Sequence, residues 1–148
     1  MRGDRVFIDS NILLYQRDIE LREKGEVAAE WLRRLTRADV ACANLQVLNE
    51  VTSVMLRRWA HLDTQAVFAA VDELAYLGRD PISETTVSHA RRLRLATRYS
   101  WWDCLLLASA LELGCRWFLS EDLQDGHEIE GLTIVDPFAH SPAQLPIS

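Results

Sequence analysis

The chain has 148 residues, of which 49% are hydrophobic and 26% charged, enough apolar material for one globular core and too much for a disordered segment. Acidic residues outnumber basic ones by 22 to 16, a formal net charge of −6, which excludes a protein that coats nucleic acid by overall positive charge. A protein that holds nucleic acid at one local site remains allowed. Cys42, Cys104 and Cys115 stand at wide spacing in apolar surroundings, form no C-x-x-C pair, and read as small buried hydrophobes rather than a disulfide framework. Lys24 is the only lysine.

In chain order, residues 5–9 are a β-branched and aromatic run that predicts a short buried strand. Asp9, Ser10 and Asn11 are all N-cap types and precede Ile12-Leu13-Leu14-Tyr15, so a helix is expected to start there. Residues 20–37 predict a helix with Val27, Trp31, Leu32 and Leu35 on one face, and residues 39–43 a second strand. Asn44 then caps a helix in which Leu48, Val51, Met55 and Trp59 recur at helical spacing. Residues 63–77 predict another helix closed by Gly78, residues 80–83 a third short strand, and residues 84–98 a helix. An apolar helix over 101–113 ends at Gly114, and strands follow over 115–119 and 132–135. Strands alternating with helices specify an α/β fold with a mainly parallel sheet. One domain is expected over residues 1–138. Residues 139–148 are expected to form a loose tail, since Pro137, Pro142 and Pro146 crowd that end. The longest wholly apolar stretch is too short to span a bilayer, and no signal-peptide pattern precedes the first strand, so a cytoplasmic protein is expected.

Four carboxylates gain meaning from this topology. Asp9 follows the first strand and Asp122 lies just past the strand ending at Leu119, so a parallel sheet puts both at its carboxyl edge, where α/β proteins build their sites. The helix after Asn44 starts at the same edge and carries Glu50 in its first two turns; the helix from Trp101 also starts there and carries Asp103. Each acid has a plainer explanation as well. Asp9 can simply cap a helix, Ser100-Trp101-Trp102-Asp103 fits the S-x-x-D capping box, and Asp122 can open a turn. Glu50 is hardest to explain this way, because Gln46, Val47, Ser53 and Val54, its helical neighbours, include no base. Carboxylates packed together raise one another's pKa, and a divalent cation relieves that; all-oxygen donors suit Mg²⁺ or Mn²⁺ rather than Zn²⁺. His61, His89, His127 and His140 show no ligand spacing, and no Gly-rich phosphate loop or serine nucleophile elbow occurs.

The segment Val6-Phe7-Ile8-Asp9-Ser10-Asn11-Ile12-Leu13-Leu14-Tyr15 resembles the opening of a PIN domain. Gln46–Glu50, Trp102–Ala108 and Leu119–Gly126 resemble its later motifs in the right order, and the likeness extends to Phe138. It is greatest to the VapC-type toxins of bacterial toxin–antitoxin pairs. The resemblance implies a three-layer α/β/α sandwich and Mg²⁺- or Mn²⁺-dependent endoribonuclease activity on RNA. It carries the catalytic and metal-holding acids onto Asp9, Glu50, Asp103 and Asp122, with Ser120 matching a hydroxyl residue two before the last acid. It further implies a homodimer neutralised by a VapB-type antitoxin. The Trp101-Trp102 doublet departs from the usual single aromatic.

In such a site a cation activates water for in-line attack on the phosphate, with Asp9 and Asp103 the expected direct ligands and Glu50 and Asp122 expected to ligate a second ion, hold metal-bound water or orient the first shell. Arg91, Arg94 and Arg98 share one face of the expected helix and would contact RNA phosphates, or alternatively antitoxin or solvent. Trp101 would stack on a base or pack in the core, and Asp125 beside Gly126 reads as a turn residue. Leu48, Val51, Met55 and Trp59, with Leu74 and Leu77, amount to more apolar helix surface than one thin sheet requires, so a homodimer and a helical antitoxin groove are expected. A receiver-type signalling domain and a haloacid-dehalogenase-type phosphatase are the rival edge-acid folds. Both need a late lysine, and the latter also D-x-D where Asp9-Ser10-Asn11 stands. A non-catalytic PIN-like interaction module and a housekeeping RNA-processing nuclease are the remaining alternatives.

Overall fold

The computed structural model describes residues 4–146. Val6–Ile8 form strand β1, buried on both faces and hydrogen-bonded on both edges: β2 (Ala41–Cys42) runs parallel on one side and β3 (Trp117–Leu119) parallel on the other. β5 (Leu132–Val135) pairs parallel with β3, and β4 (Glu128–Ile129) closes the sheet antiparallel to β5, giving the order β2-β1-β3-β5-β4. Continuous apolar strands of this kind need cover on both faces. Six helices among the described residues supply it: α1 (Ser10–Tyr15), α2 (Arg22–Arg37), α3 (Leu45–Arg58), α4 (Thr64–Asp72), α5 (Glu84–Ala96) and α6 (Trp101–Glu112). The result is a three-layer α/β/α sandwich. In its centre Phe7 stands opposite Phe118, their rings stacked with centroids 5.4 Å apart.

Helix α6 is buried from Cys104 through Ala110, and its register follows from Ser100, whose Oγ accepts the Asp103 N–H at 3.1 Å. α3 starts where Asn44 accepts the Val47 N–H at 3.1 Å, and Ser83 caps α5 with a reciprocal bond to Thr86. Gly25 lets α2 pass the end of α1, since a Cβ there would lie 2.8 Å from the Tyr15 carbonyl oxygen.

Several sequence expectations are corrected. The helix expected over 20–37 begins with a 3₁₀ turn, Ile19–Leu21, capped by Asp18. The one over 63–77 is divided: α4 ends at Asp72, and Ala75–Leu77 tightens to 3₁₀, with Leu74, Leu77 and Gly78 each bonding three residues back. Residues 80–83 form no strand. The chain there lies beside Ala43 and Leu45, joined only by Ala43 N–H to Leu77 O and Leu45 N–H to Asp80 O, both 3.0 Å. Gly78, at φ +139°, permits this approach, for a Cβ would sit 2.4 Å from the Ala43 carbonyl oxygen, and Pro81 has no N–H to continue a ladder. β4 was not expected; Glu130 and Gly131, at φ +52° and +90°, make the tight turn that folds it onto β5.

The apolar face taken as surplus is used within the chain. Leu48, Val51, Met55, Leu74 and Leu77 are buried in the core, where α3 packs on α1 and α4, and Trp59 is half-buried. The tail expected to be loose is seated as far as Gln144: Pro142–Gln144 forms a 3₁₀ turn against α2, Pro142 is buried, and the Trp31 indole N–H donates to the Pro137 carbonyl at 2.9 Å. Residues 147–148 of that tail lie outside the described residues. No helix among the described residues is long and apolar enough to cross a membrane.

Candidate functional site

The parallel register builds the site's floor. Ile8 pairs with Leu119, so the residues that follow, Asp9 and Ser120, leave the sheet side by side at its carboxyl edge; the Asp9 N–H reaches the Leu119 carbonyl at 3.1 Å and the Ser120 N–H the Val135 carbonyl at 3.0 Å. Asp9 is buried, and its carboxylate accepts the Ser10 N–H at 2.7 Å and the Ser120 hydroxyl at 2.8 Å. It therefore caps α1 and faces the site at once, so the two readings of this residue are not exclusive. Glu50 projects from the second turn of α3, Asp103 from the first turn of α6, and Asp122 from the loop after β3.

Burial pushes the Asp9 carboxyl up to about 6, and the charges of Asp103 and Asp122 push the same way against the Ser120 and Ser10 hydrogen bonds. Burial, then the fields of Asp9 and Asp103, push Glu50 up to about 7. Asp103 is raised by burial and by Asp122, with the Ser100 hydroxyl opposing. The charges of four acids from four distant segments are thus linked: Asp9 lies in the fields of Asp103 and Asp122, Glu50 in those of Asp9 and Asp103, and Asp103 in that of Asp122. Among the described residues, no Arg, Lys or His forms an ion pair with any of them.

Three of the four are held by local donors. Ser120 holds Asp9, Ser100 holds Asp103 through its hydroxyl at 2.8 Å, and the Asn11 side-chain amide donates to Asp122. The Ser100–Asp103 contact is half a capping box: the serine oxygen serves the Asp103 N–H, and the carboxylate takes the hydroxyl proton instead of the Ser100 backbone. Glu50 is different, since its Oε2 is buried with no partner among the described residues. As they stand, no three acidic, His or Cys groups among the described residues close around one ion. Their chemistry nevertheless fits a hard divalent cation: every donor is an oxygen, the group carries excess negative charge, and a buried carboxylate oxygen is left unsatisfied.

The arginines are placed less tightly than expected. Arg91 and Arg94 are exposed on α5, but the helix ends at Ala96 because Thr97 turns extended, so Arg98 lies beyond the shared face. Arg94 reaches the surroundings of Cys104, next to Asp103. Three of the four histidines serve other partners: His89 meets Glu130, His127 meets Tyr99, and His140 meets Asp125, which also accepts the Asp136 N–H.

A support behind Asp122 escaped the sequence reading. Glu121 accepts the Tyr15 hydroxyl and the Lys24 ammonium, each at 2.7 Å, and Lys24 lies over the Tyr15 and Phe138 rings at 5.1 and 5.2 Å. Against the cost of partial burial, these two donors hold Glu121 below the usual carboxylate range. The one signal available in the sequence was the solitary lysine itself.

A family model for the PIN domain matches residues 6–124. No curated protein matches the sequence significantly. Among solved structures, a toxin–antitoxin complex from Klebsiella pneumoniae superposes with a TM-score of 0.60 at 20% identity, covering 89% of this chain and 97% of that one. VapC20 of Mycobacterium tuberculosis, described as a sarcin–ricin loop cleaving toxin, superposes with a TM-score of 0.55 at 19% identity, covering 76% and 86%. At these identities the likeness is one of fold.

Proposed function

Because the chain belongs to the PIN-domain family, we propose that it is a divalent-cation-dependent endoribonuclease, the VapC-type toxin of a toxin–antitoxin pair. The observation that carries this reading is Glu50: a buried, unpartnered carboxylate oxygen in the field of Asp9 and Asp103, where a bound cation would relieve the charge. Asp9 and Asp103 would hold the ion directly, and Glu50 and Asp122 would complete or orient its shell. Bound Mg²⁺, with Mn²⁺ as its substitute, would neutralise the carboxylates, polarise the scissile phosphate and acidify water.

The chain's own contribution is positioning and proton transfer. Ser120, by donating to Asp9 Oδ2, favours the ionised carboxylate against the burial that raises its pKa, and fixes its direction. The Asn11 amide, by donating to Asp122, fixes that carboxylate's direction, and the Lys24–Glu121–Tyr15 cluster anchors the loop that carries it. Glu50, with one carboxylate oxygen that no described residue engages, would accept the proton of the attacking water. Arg91, Arg94 and Arg98, exposed beside α6, would offset the repulsion between this acidic centre and the RNA backbone.

The reading includes a VapB-type antitoxin, a homodimer and a cytoplasmic location. A hollow of about 400 Å³ between residues 17–20, the end of α3 and α4, lined by Met55, Trp59 and Leu62, would suit an antitoxin helix, with exposed Ile19 at its rim. With the α3 core face used internally, a homodimer would rest on the exposed Leu45 and Phe68 instead. The test is expression in a bacterial host. Growth arrest with new, discrete RNA ends, abolished by Asp103→Asn, is expected; growth unaffected by abundant folded protein would overturn the toxin reading.

A further inference from the structure

The adjacent tryptophans at the start of α6 have opposite surroundings. Trp101 is half-buried and packs against the core, whereas Trp102 is 58% exposed. A single exposed aromatic is ordinary on a protein surface. The neighbours of Trp102 are not: it forms one wall of a hollow of about 280 Å³ whose other lining is Gln46, Asn49, Glu50 and Ser53. Those four residues, spaced three, four and seven apart on α3, make one helical stripe. Glu50 belongs both to this hollow and to the acidic centre, and Trp102 directly precedes Asp103. Whatever occupies the hollow therefore touches Glu50 and, on the ribonuclease reading, would lie beside the reacting phosphate.

The chemistry of the lining narrows the occupant. The hollow offers an aromatic face, two carboxamides that each donate and accept, and a hydroxyl. It offers no cation, so it does not suit a backbone phosphate. A planar, neutral group with a mixed donor and acceptor edge suits it, which describes a nucleobase. Building on the ribonuclease reading, we propose that the hollow is a nucleobase subsite: a base next to the scissile phosphate stacks on Trp102, and Gln46 and Asn49 read its edge. Because the base must leave its own stack to reach the indole, the subsite selects single-stranded or looped RNA over duplex.

The test uses the full chain with Mg²⁺ and a single-stranded RNA library of random sequence, with cut ends sequenced and KM measured on one preferred substrate. Trp102→Ala is expected to raise KM by about 5- to 150-fold, the range for loss of one base–aromatic stack, and to flatten the preference at one nucleotide position. Trp102→Phe, which keeps an aromatic face, should recover most of the affinity. Asn49→Asp should change the preferred base at that same position. Trp102→Ala with unchanged KM and an unchanged cleavage profile would overturn the subsite. So would that result accompanied by loss of dimer or antitoxin binding, which would assign the hollow to a protein partner. A wild-type protein that leaves the library intact would overturn the nuclease reading and the subsite with it, so the wild-type lane separates the two failures.

Discussion

Replacing Glu50 with glutamine removes one charge from the acidic centre and keeps the side chain's shape. In the cation-free protein the folded state binds the Glu50 proton more tightly than the unfolded chain does, because its carboxyl is pushed from 4.5 to about 7. That contribution is fully present below about pH 4.5 and is lost as pH rises through 7, so ionised Glu50 opposes folding at alkaline pH. The displacement corresponds to about 3 kcal/mol in full, and screening of a half-buried group reduces it to about 1–2 kcal/mol. With chelator present, Glu50→Gln should therefore be more stable than the parent at pH 8 by that amount, or about 2–4 °C in melting temperature per kcal/mol. The advantage should shrink to a few tenths of a kcal/mol, about RT ln 2 at most, at pH 4.5, where folded Glu50 is neutral and the unfolded side chain half ionised. Mg²⁺ at 100 times its dissociation constant should stabilise the parent by about 2.7 kcal/mol and the variant by less. Calorimetric melts at the two pH values, with and without Mg²⁺ at constant ionic strength, measure all four quantities. A variant no more stable than the parent at pH 8, with its Mg²⁺ response intact, would refute the assignment of Glu50 to the charged centre.

Ser120→Ala removes the donor to Asp9 and the acceptor of the Asp122 N–H, so it should lose about 1–2 kcal/mol and move the acidic limb of the pH–rate profile upward as Asp9 holds its proton to higher pH. Asp103→Asn should fold with α6 intact, since Ser100 supplies the cap oxygen; circular dichroism should match the parent's while RNA cleavage is lost. Lys24→Met breaks the partly exposed Lys24–Glu121 bridge and its contacts with two rings, so urea titration should show a loss of about 1 kcal/mol that shrinks in 1 M salt.

What could be read in the sequence follows from how local each signal is. β1 and β3 were legible because Val6–Ile8 and Trp117–Leu119 are unbroken apolar runs, as strands buried on both faces must be. β4 was not, being two residues long with a Glu130-Gly131 turn in place of the usual Asn-Gly or Asp-Gly. Glu50 stood out because no base lies within one helical turn, and the structure leaves its oxygen unpartnered. The plain and functional explanations of Asp9 compete in the sequence, but the fold does not set one against the other: one oxygen serves the α1 cap and the other accepts from Ser120 at the carboxyl edge, so capping leaves the proposed role in place. Asn11 and Lys24 could not be assigned, for their partners Asp122 and Glu121 lie 111 and 97 residues away. The surplus apolar face was a miscount of the core: helical spacing marks which residues are buried, not whether the same chain or another copy buries them.

The central claim, that the carboxyl-edge acids cut RNA with a divalent cation, is tested most directly by single-turnover cleavage of a fluorescent single-stranded RNA at pH 8. Parent and Asp9→Asn proteins, each verified as folded, are titrated with Mg²⁺ and with Mn²⁺ and then treated with chelator. Cleavage that rises with either cation, stops on chelation and is lost in Asp9→Asn is the predicted result. Cleavage that persists in chelator, or that survives Asp9→Asn at the parental rate, would contradict it.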